Sequence, residues 1–131
     1  VRDGSALERY ERWVRAQGGD PSEDVLPRAP VVRTVESPGT GYVRRLRALP
    51  VGIAALELGA GRARKDDAID HAVGIVCLRK RGDEVDRGEP IAEIHARTDD
   101  AAAAAAELVL GAYELGAEPP EHRPIVLELV S

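Results

Sequence analysis

Methionine and phenylalanine are absent from this sequence, and the aromatic residues amount to one Trp and three Tyr. A core without large aromatics has to be assembled from Val, Leu, Ile and Ala, which favours β-branched sheet packing against alanine-lined helices. With no initiator methionine, the chain is expected to be a piece of a longer polypeptide. Cysteine occurs once, as Cys77 in an apolar run. That count excludes a disulfide framework and a Cys-rich zinc site, and leaves a buried structural thiol as the expected state. No apolar run approaches the roughly 18 residues that a membrane span requires, and no signal-peptide pattern is present. A soluble, cytoplasmic chain without a membrane partner is expected. A clustered basic face is lacking too: the net charge is −5 with 31% charged residues, which argues against a nucleic-acid partner. Lysine appears twice against sixteen arginines, a ratio that points to GC-rich coding bias more than to function.

What is present fits one domain of 131 residues with a helical extension. Ser5-Ala6-Leu7-Glu8 has the form of a capping box, and Leu7, Tyr10 and Val14 then recur at helical spacing. Gly18-Gly19 supplies the stop and Asp20-Pro21 prevents resumption. An isolated amphipathic helix must bury its stripe elsewhere, and a missing domain is the expected cover. Residues 20 to 30, with Pro21, Pro27 and Pro30, read as an extended linker. Val31–Val35 and Tyr42–Leu46 read as strands around the turn Ser37–Gly41, and together predict a hairpin. Val51–Leu58 reads as a short helix with Pro50 at its first position and Gly59 as its stop.

Val73–Leu78 and Ile91–Ala96 read as further strands, the second with apolar and polar side chains alternating. Between them Gly82 and Gly88 mark two tight turns around the single apolar plug Val85. Asp99 is placed to cap a helix running from Asp100 to about Leu115 through the six alanines Ala101–Ala106. Gly116 stops that helix, Pro119-Pro120 break the chain, and Ile125–Val130 reads as a closing strand.

Chemistry is densest between Leu58 and Ile75, where three glycines, three basic residues, acidic residues and His71 stand between apolar segments. Gly59-Ala60-Gly61 could turn backbone amides toward an anion, and Arg62, Arg64 and Lys65 would assist. The glycines follow a predicted helix instead of a strand, however, and no Lys-[Ser/Thr] pair accompanies them, so a shape-determining loop is the stronger reading. Asp66, Asp70 and His71 are the candidate metal ligands. A metal site needs three or four converging donors, and local caps and ion pairs account for these residues more simply. No Gly-x-Ser-x-Gly motif is present, and no serine has an obvious base. His95, on a strand with Ile91 and Ile94, reads as a structural histidine that could titrate near neutral pH if partly exposed.

The turn Gly82-Asp83-x-Val85-x-x-Gly88-x-Pro90-Ile91-Ala92-x-Ile94 resembles the hairpin of biotinyl and lipoyl carrier domains, which present a lysine shortly afterwards. Here that position reads His95-Ala96-Arg97-Thr98, and both lysines, Lys65 and Lys80, lie upstream. The likeness implies a barrel-sandwich scaffold without a carrier's modified residue. A stand-alone binding module of that type is the alternative to the reading that follows.

Taken together, Leu58-Gly59-Ala60-Gly61-Arg62-x-x-Lys65-Asp66-Asp67-x-Ile69-Asp70-x-x-Val73-Gly74-Ile75 and Lys80-x-Gly82-Asp83-x-Val85-x-x-Gly88-Glu89-Pro90-Ile91-Ala92-x-Ile94-His95-Ala96 resemble the C-terminal domain of thymidine and pyrimidine-nucleoside phosphorylases. Ser37-Pro38-Gly39-Thr40-Gly41-Tyr42-Val43 and Val51-Gly52-Ile53-Ala54-Ala55 resemble its lead-in. Asp3-Gly4-Ser5-Ala6 and Gln17-Gly18-Gly19-Asp20 resemble the segment before it. The resemblance implies an α+β fold: an α/β-hammerhead, barrel-sandwich hybrid-like domain over residues 31–131, preceded by a helix and linker, residues 1–30, from the preceding domain. It implies a homodimeric parent enzyme that cleaves pyrimidine nucleosides with phosphate to free base and pentose 1-phosphate. In that family the residues that bind phosphate and base come from preceding α/β and helical domains, and their Ser-Gly-Arg and Thr-x-Asp-Lys signature is absent here. No catalytic residue, metal ligand or cofactor site is therefore carried over, and the fragment is expected to be inactive. The remaining expectation is a loop over residues 59 to 67, with Gly59, Gly61, Arg62, Arg64 and Lys65, facing the cleft or the neighbouring α/β domain.

Overall fold

A computed structural model describes residues 3–22, 26–62 and 64–121. The predicted closing strand over 125–130 lies outside them. The first helix, α1, spans Ser5–Ala16 and buries none of its residues. Leu7, Tyr10 and Trp13 stand more than half exposed, so its apolar stripe has no cover within the described fold. Its start differs from the predicted capping box. Gly4, at φ +81°, takes the cap position, and Ser5 gives its amide and hydroxyl to the Asp3 carboxylate at 3.1 and 2.8 Å. With Gly4 at the cap, Ser5 already lies within the helix, and the Glu8 amide donates to the Gly4 carbonyl at 3.1 Å instead of to a serine hydroxyl. The helix stop is as predicted: Gly18 sits at φ +79°, and Gly19 N–H donates to the Val14 carbonyl at 3.0 Å.

The rest of the described chain is a mixed α+β arrangement: two helices and two three-stranded antiparallel sheets. Its strands and helices are β1 (Val31–Glu36), β2 (Gly41–Leu46), α2 (Ala48–Leu58), β3 (Gly74–Cys77), β4 (Glu84–Val85), β5 (Pro90–Ala96), α3 (Asp99–Ala112) and β6 (Tyr113–Gly116). One sheet has the order β1-β5-β3 and the other β4-β2-β6. The predicted hairpin between the first two strands does not form. Ser37 is buried, its N–H donates to the Glu89 carbonyl at 2.8 Å, and its own carbonyl accepts from Gly88 N–H at 2.9 Å. The turn is thereby tied to the turn before β5, so β1 pairs with β5 while the chain crosses over and β2 enters the other sheet.

β5 is the centre of the first sheet. Ile91, Ala92, Ile94 and Ala96 are all fully buried, while Glu93 and His95 take the outer face. The core adds Val35, Val43, Val85, Ala54 and the inner face of α3, where Ala102, Ala105, Val109 and Ala112 are buried. Alanine at three- and four-residue spacing keeps this face narrow, so α3 lies close against α2, β1 and β5. The cap of α3 is Thr98, whose Oγ1 accepts from Ala101 N–H at 3.2 Å, one residue before the predicted Asp99.

Two element ends depart from expectation. α2 begins at Ala48, so Pro50 is its third residue instead of its first. The first turn tolerates proline there, because that amide has no helical acceptor. Arg47 N–H donates to the Ala112 carbonyl at 3.0 Å, and its guanidinium donates to the Gly111 carbonyl. Docking on the end of α3 thus starts the helix early. α3 in turn ends at Ala112, and residues 113–116 are a strand instead of helix. The Tyr113 hydroxyl donates to the carbonyls of Arg79 and Ile91, each at 2.9 Å, and Tyr113–Gly116 pair with β2. Tertiary pairing overrides the helical preference that the alanine run imposes upstream.

Candidate functional site

The charged stretch between α2 and β3 begins with a sharp helix stop. Gly59 lies at φ +100°, a conformation open to glycine at little cost, and Ala60 N–H donates to the Ala55 carbonyl at 3.0 Å. Gly61 runs so close to Leu56 that a Cβ there would stand 3.0 Å from its Cδ1. At the tip a tight turn closes on itself: Arg64 N–H donates to Asp67 Oδ2 at 2.7 Å, and Asp67 N–H donates to the Arg64 carbonyl at 3.1 Å. The chain then returns, and Asp70 N–H donates to the Gly59 carbonyl at 2.9 Å.

Arg62, Arg64 and Lys65 are exposed and take no ion pair among the described residues. The acid that is spoken for is Asp70. Its carboxylate receives Arg97 Nε at 2.6 Å and a second guanidinium nitrogen at 2.7 Å, a bidentate pair, and also accepts from Ala72 N–H at 3.0 Å. The Arg97 hydrogen bonds above all, then the Ala72 amide, hold the Asp70 carboxyl down to about pKa 2. Arg97 is correspondingly held above its ordinary value by the same bond.

That depression carries a signed expectation. The folded Asp70 titrates below its unfolded value of 3.8, so its stabilising contribution is complete above about pH 4 and disappears as pH falls toward 2. Carboxyl-detected NMR titration should find Asp70 near pKa 2. Substitution Arg97→Ala should raise it toward the ordinary Asp value of about 3.9 without reaching it, because the Ala72 amide still donates to the carboxylate. An unshifted Asp70 in the unsubstituted chain would contradict the bidentate pair.

The three acidic and imidazole groups singled out in the sequence are not brought together: Asp66 is exposed and His71 stands at the loop exit. Asp70 is committed to Arg97, and no three His, Cys, Asp or Glu residues converge among the described residues. His71 is exposed at the loop exit, and His95 is half-buried on β5 with its Nε2 3.8 Å from the Glu93 carboxylate. Cys77 is half-buried on β3, facing the Tyr113 hydroxyl, whose pKa is raised by burial and by that thiol. In the turn after β5, where carrier domains present a lysine, stands Arg97, bonded to Asp70.

A separate open groove of about 740 Å³ lies along β2 and β6, lined by Arg44, Arg45, Leu46, Arg81, Glu114, Pro120 and Glu121. Its cations are engaged: Arg81 donates to the Glu121 carbonyl at 2.7 Å, Arg44 to that of Glu118 at 3.5 Å, and Arg45 pairs with Glu114 at 3.8 Å. None of the loop residues lines it.

Sequence reasoning located the charged loop and its glycine stop but missed Arg97 as the residue that anchors it. The two partners are 27 residues apart, and no local pattern announces a pair at that separation.

The described residues thus form an α+β unit of two small antiparallel sheets and two packed helices, with an exposed cationic loop between α2 and β3. Residues 42–116 match the model of the pyrimidine nucleoside phosphorylase C-terminal domain, and the chain belongs to that family. It is 37% identical over its whole length to a thymidine phosphorylase of Sinorhizobium fredii, covering 31% of that protein. It is 38% identical over 95% of its length to one of Rhizobium meliloti, covering 29% of it. A thymidine phosphorylase of Burkholderia orbicola is 41% identical over 86% of this chain, which covers 27% of that relative. The chain thus spans less than a third of the length of each of these relatives.

Proposed function

We propose that this chain is the accessory C-terminal domain of a pyrimidine-nucleoside phosphorylase acting on thymidine, with a cytoplasmic parent enzyme. The parent converts nucleoside and phosphate to free base and (deoxy)ribose 1-phosphate. Residues 31–131 form the hammerhead, barrel-sandwich hybrid-like unit, and residues 1–30 belong to the helical and linker region that joins it to the preceding α/β and helical domains. The parent functions as a homodimer through those preceding domains. The observation that carries this reading is the match along the whole chain to thymidine phosphorylases more than three times as long.

Phosphorolysis passes through an oxocarbenium-like transition state, with phosphate as the anionic partner. It gains most from fixed cationic donors in a site that excludes water. Arg62, Arg64 and Lys65 supply such donors on a loop whose base is fixed and whose tip is exposed. In this reading the loop, including Gly59 and Gly61, faces the cleft and helps to close it over substrate, as loops on rigid scaffolds do in other enzymes.

Two measurements test the proposal. In the full-length protein, changing Arg62, Arg64 and Lys65 together to Ala should lower kcat/KM by about tenfold, the scale expected when electrostatic contacts around a reacting anion are lost. Unaltered kinetics would remove the loop from the mechanism. The isolated 131-residue chain should release no base from thymidine in phosphate buffer, and turnover by that chain would overturn its accessory role.

A further inference from the structure

Three sets of hydrogen bonds converge on Asp70, and they join three parts of the fold. Its N–H reaches back to the Gly59 carbonyl at 2.9 Å, closing the loop so that ten intervening residues leave and return at one point. Its carboxylate accepts from Ala72 N–H at 3.0 Å, just before β3. It also receives the bidentate guanidinium of Arg97 at 2.6 and 2.7 Å. Arg97 itself stands between the last residue of β5 and Thr98, the cap of α3, so its backbone is fixed from both sides. Ala60 N–H ties the start of the loop to α2 through the Ala55 carbonyl, whereas the contacts described at the tip, between Arg64 and Asp67, are internal and stiffen it without attaching it to the body.

We propose that the Asp70–Arg97 pair is a positioning clamp that sets the direction of the 59–70 loop, holding its cationic tip in one orientation relative to β5 and α3. A planar carboxylate met by a planar fork fixes an angle as well as a distance, which a single hydrogen bond does not. The short aspartate side chain leaves little slack, and the Gly59–Asp70 backbone bond transmits that angle to the start of the loop as well as its end. The functional consequence rests on the cleft-facing reading of the loop, whereas the clamp itself does not.

The two are separable by experiment. In the full-length protein, trypsin cuts after Arg62, Arg64 and Lys65 can be timed by peptide mass. Cutting by way of a transiently opened loop follows the open population. Asp70→Asn and Arg97→Ala should each speed these cuts by about fivefold at a temperature well below melting, with Arg97→Lys intermediate and cutting elsewhere in the chain unchanged. Arg97 is more than half exposed, so its truncation removes no core contact and remains informative even if the Asp70 variant misfolds. In kinetics the same substitutions should lower kcat/KM several-fold in the wild-type background and have no further effect once Arg62, Arg64 and Lys65 are alanine. A merely structural role would not show that dependence. Unchanged cutting rates would overturn the clamp. Faster cutting with unchanged kcat/KM would support the clamp and overturn the cleft-facing role of the loop.

Discussion

Replacing Ile94 by Ala is expected to destabilise this chain by about 3 kcal/mol and to lower its melting temperature by roughly 10 °C. Ile94 is fully buried at the middle of β5, opposite Arg33 on one neighbour and Ile75 on the other, with α3 packed over the same sheet. Two features make the cavity hard to close. The buried core is mostly Val, Ile and Ala, stiff or short, its Tyr113 is held by two hydroxyl bonds, and the chain holds no Met or Phe that could swing into the gap. The β5 backbone is paired on both edges, so it cannot sink inward without breaking two ladders. Ile94→Val, which removes one methylene, should cost about 1 kcal/mol. Urea unfolding of the two variants gives both numbers. A loss below about 1 kcal/mol for the alanine variant would mean that β5 is not the centre of the core.

Most strands and helices were legible as segments, and their partners were not. Glycine and proline punctuation located α1, β1, β2, β3, β5 and the start of α3 because those signals act within a few residues. Pairing is decided by contacts such as Ser37 to Glu89, where a turn is tied to another turn 52 positions along the chain, the difference of the two residue numbers. No local spacing carries that information, so adjacency in sequence wrongly predicted a hairpin. The same holds at Tyr113. Its helix-compatible surroundings pointed one way, and two distant carbonyls that accept its hydroxyl decided the other. The loop was legible for a similar reason in reverse: its stop at Gly59 is local, whereas the Arg97 that anchors it is not. Family resemblance supplied the functional reading, because the loop alone offers cations without an assembled site.

Gly41→Ala is expected to cost about 3 kcal/mol, while the same change at its neighbour across the sheet, Gly116→Ala, should cost less than about 1 kcal/mol. Both glycines sit where β2 meets β6, with Tyr42 opposite Gly116, so composition alone predicts no difference. Gly41 lies at φ +150°, and a Cβ on it would stand 2.6 Å from the Gly116 carbonyl oxygen and 3.3 Å from its carbon. Those atoms are backbone of a paired strand. Relieving the overlap means moving β6 away from β2, which weakens the ladder and pulls on Tyr113, whose hydroxyl bonds to Arg79 and Ile91 hold that strand to the core. A Cβ on Gly116 instead meets Arg44 Cγ at 2.8 Å. Arg44 is exposed, and a rotation about its side-chain torsions clears the contact while the backbone stays in place. At Gly116 the alanine also restricts the unfolded chain, which offsets part of the remaining cost. Chemical denaturation of both variants should therefore separate them by about 2 kcal/mol or more. Equal losses would show that the close approach of Gly41 to Gly116 is not what sets the spacing of β2 and β6.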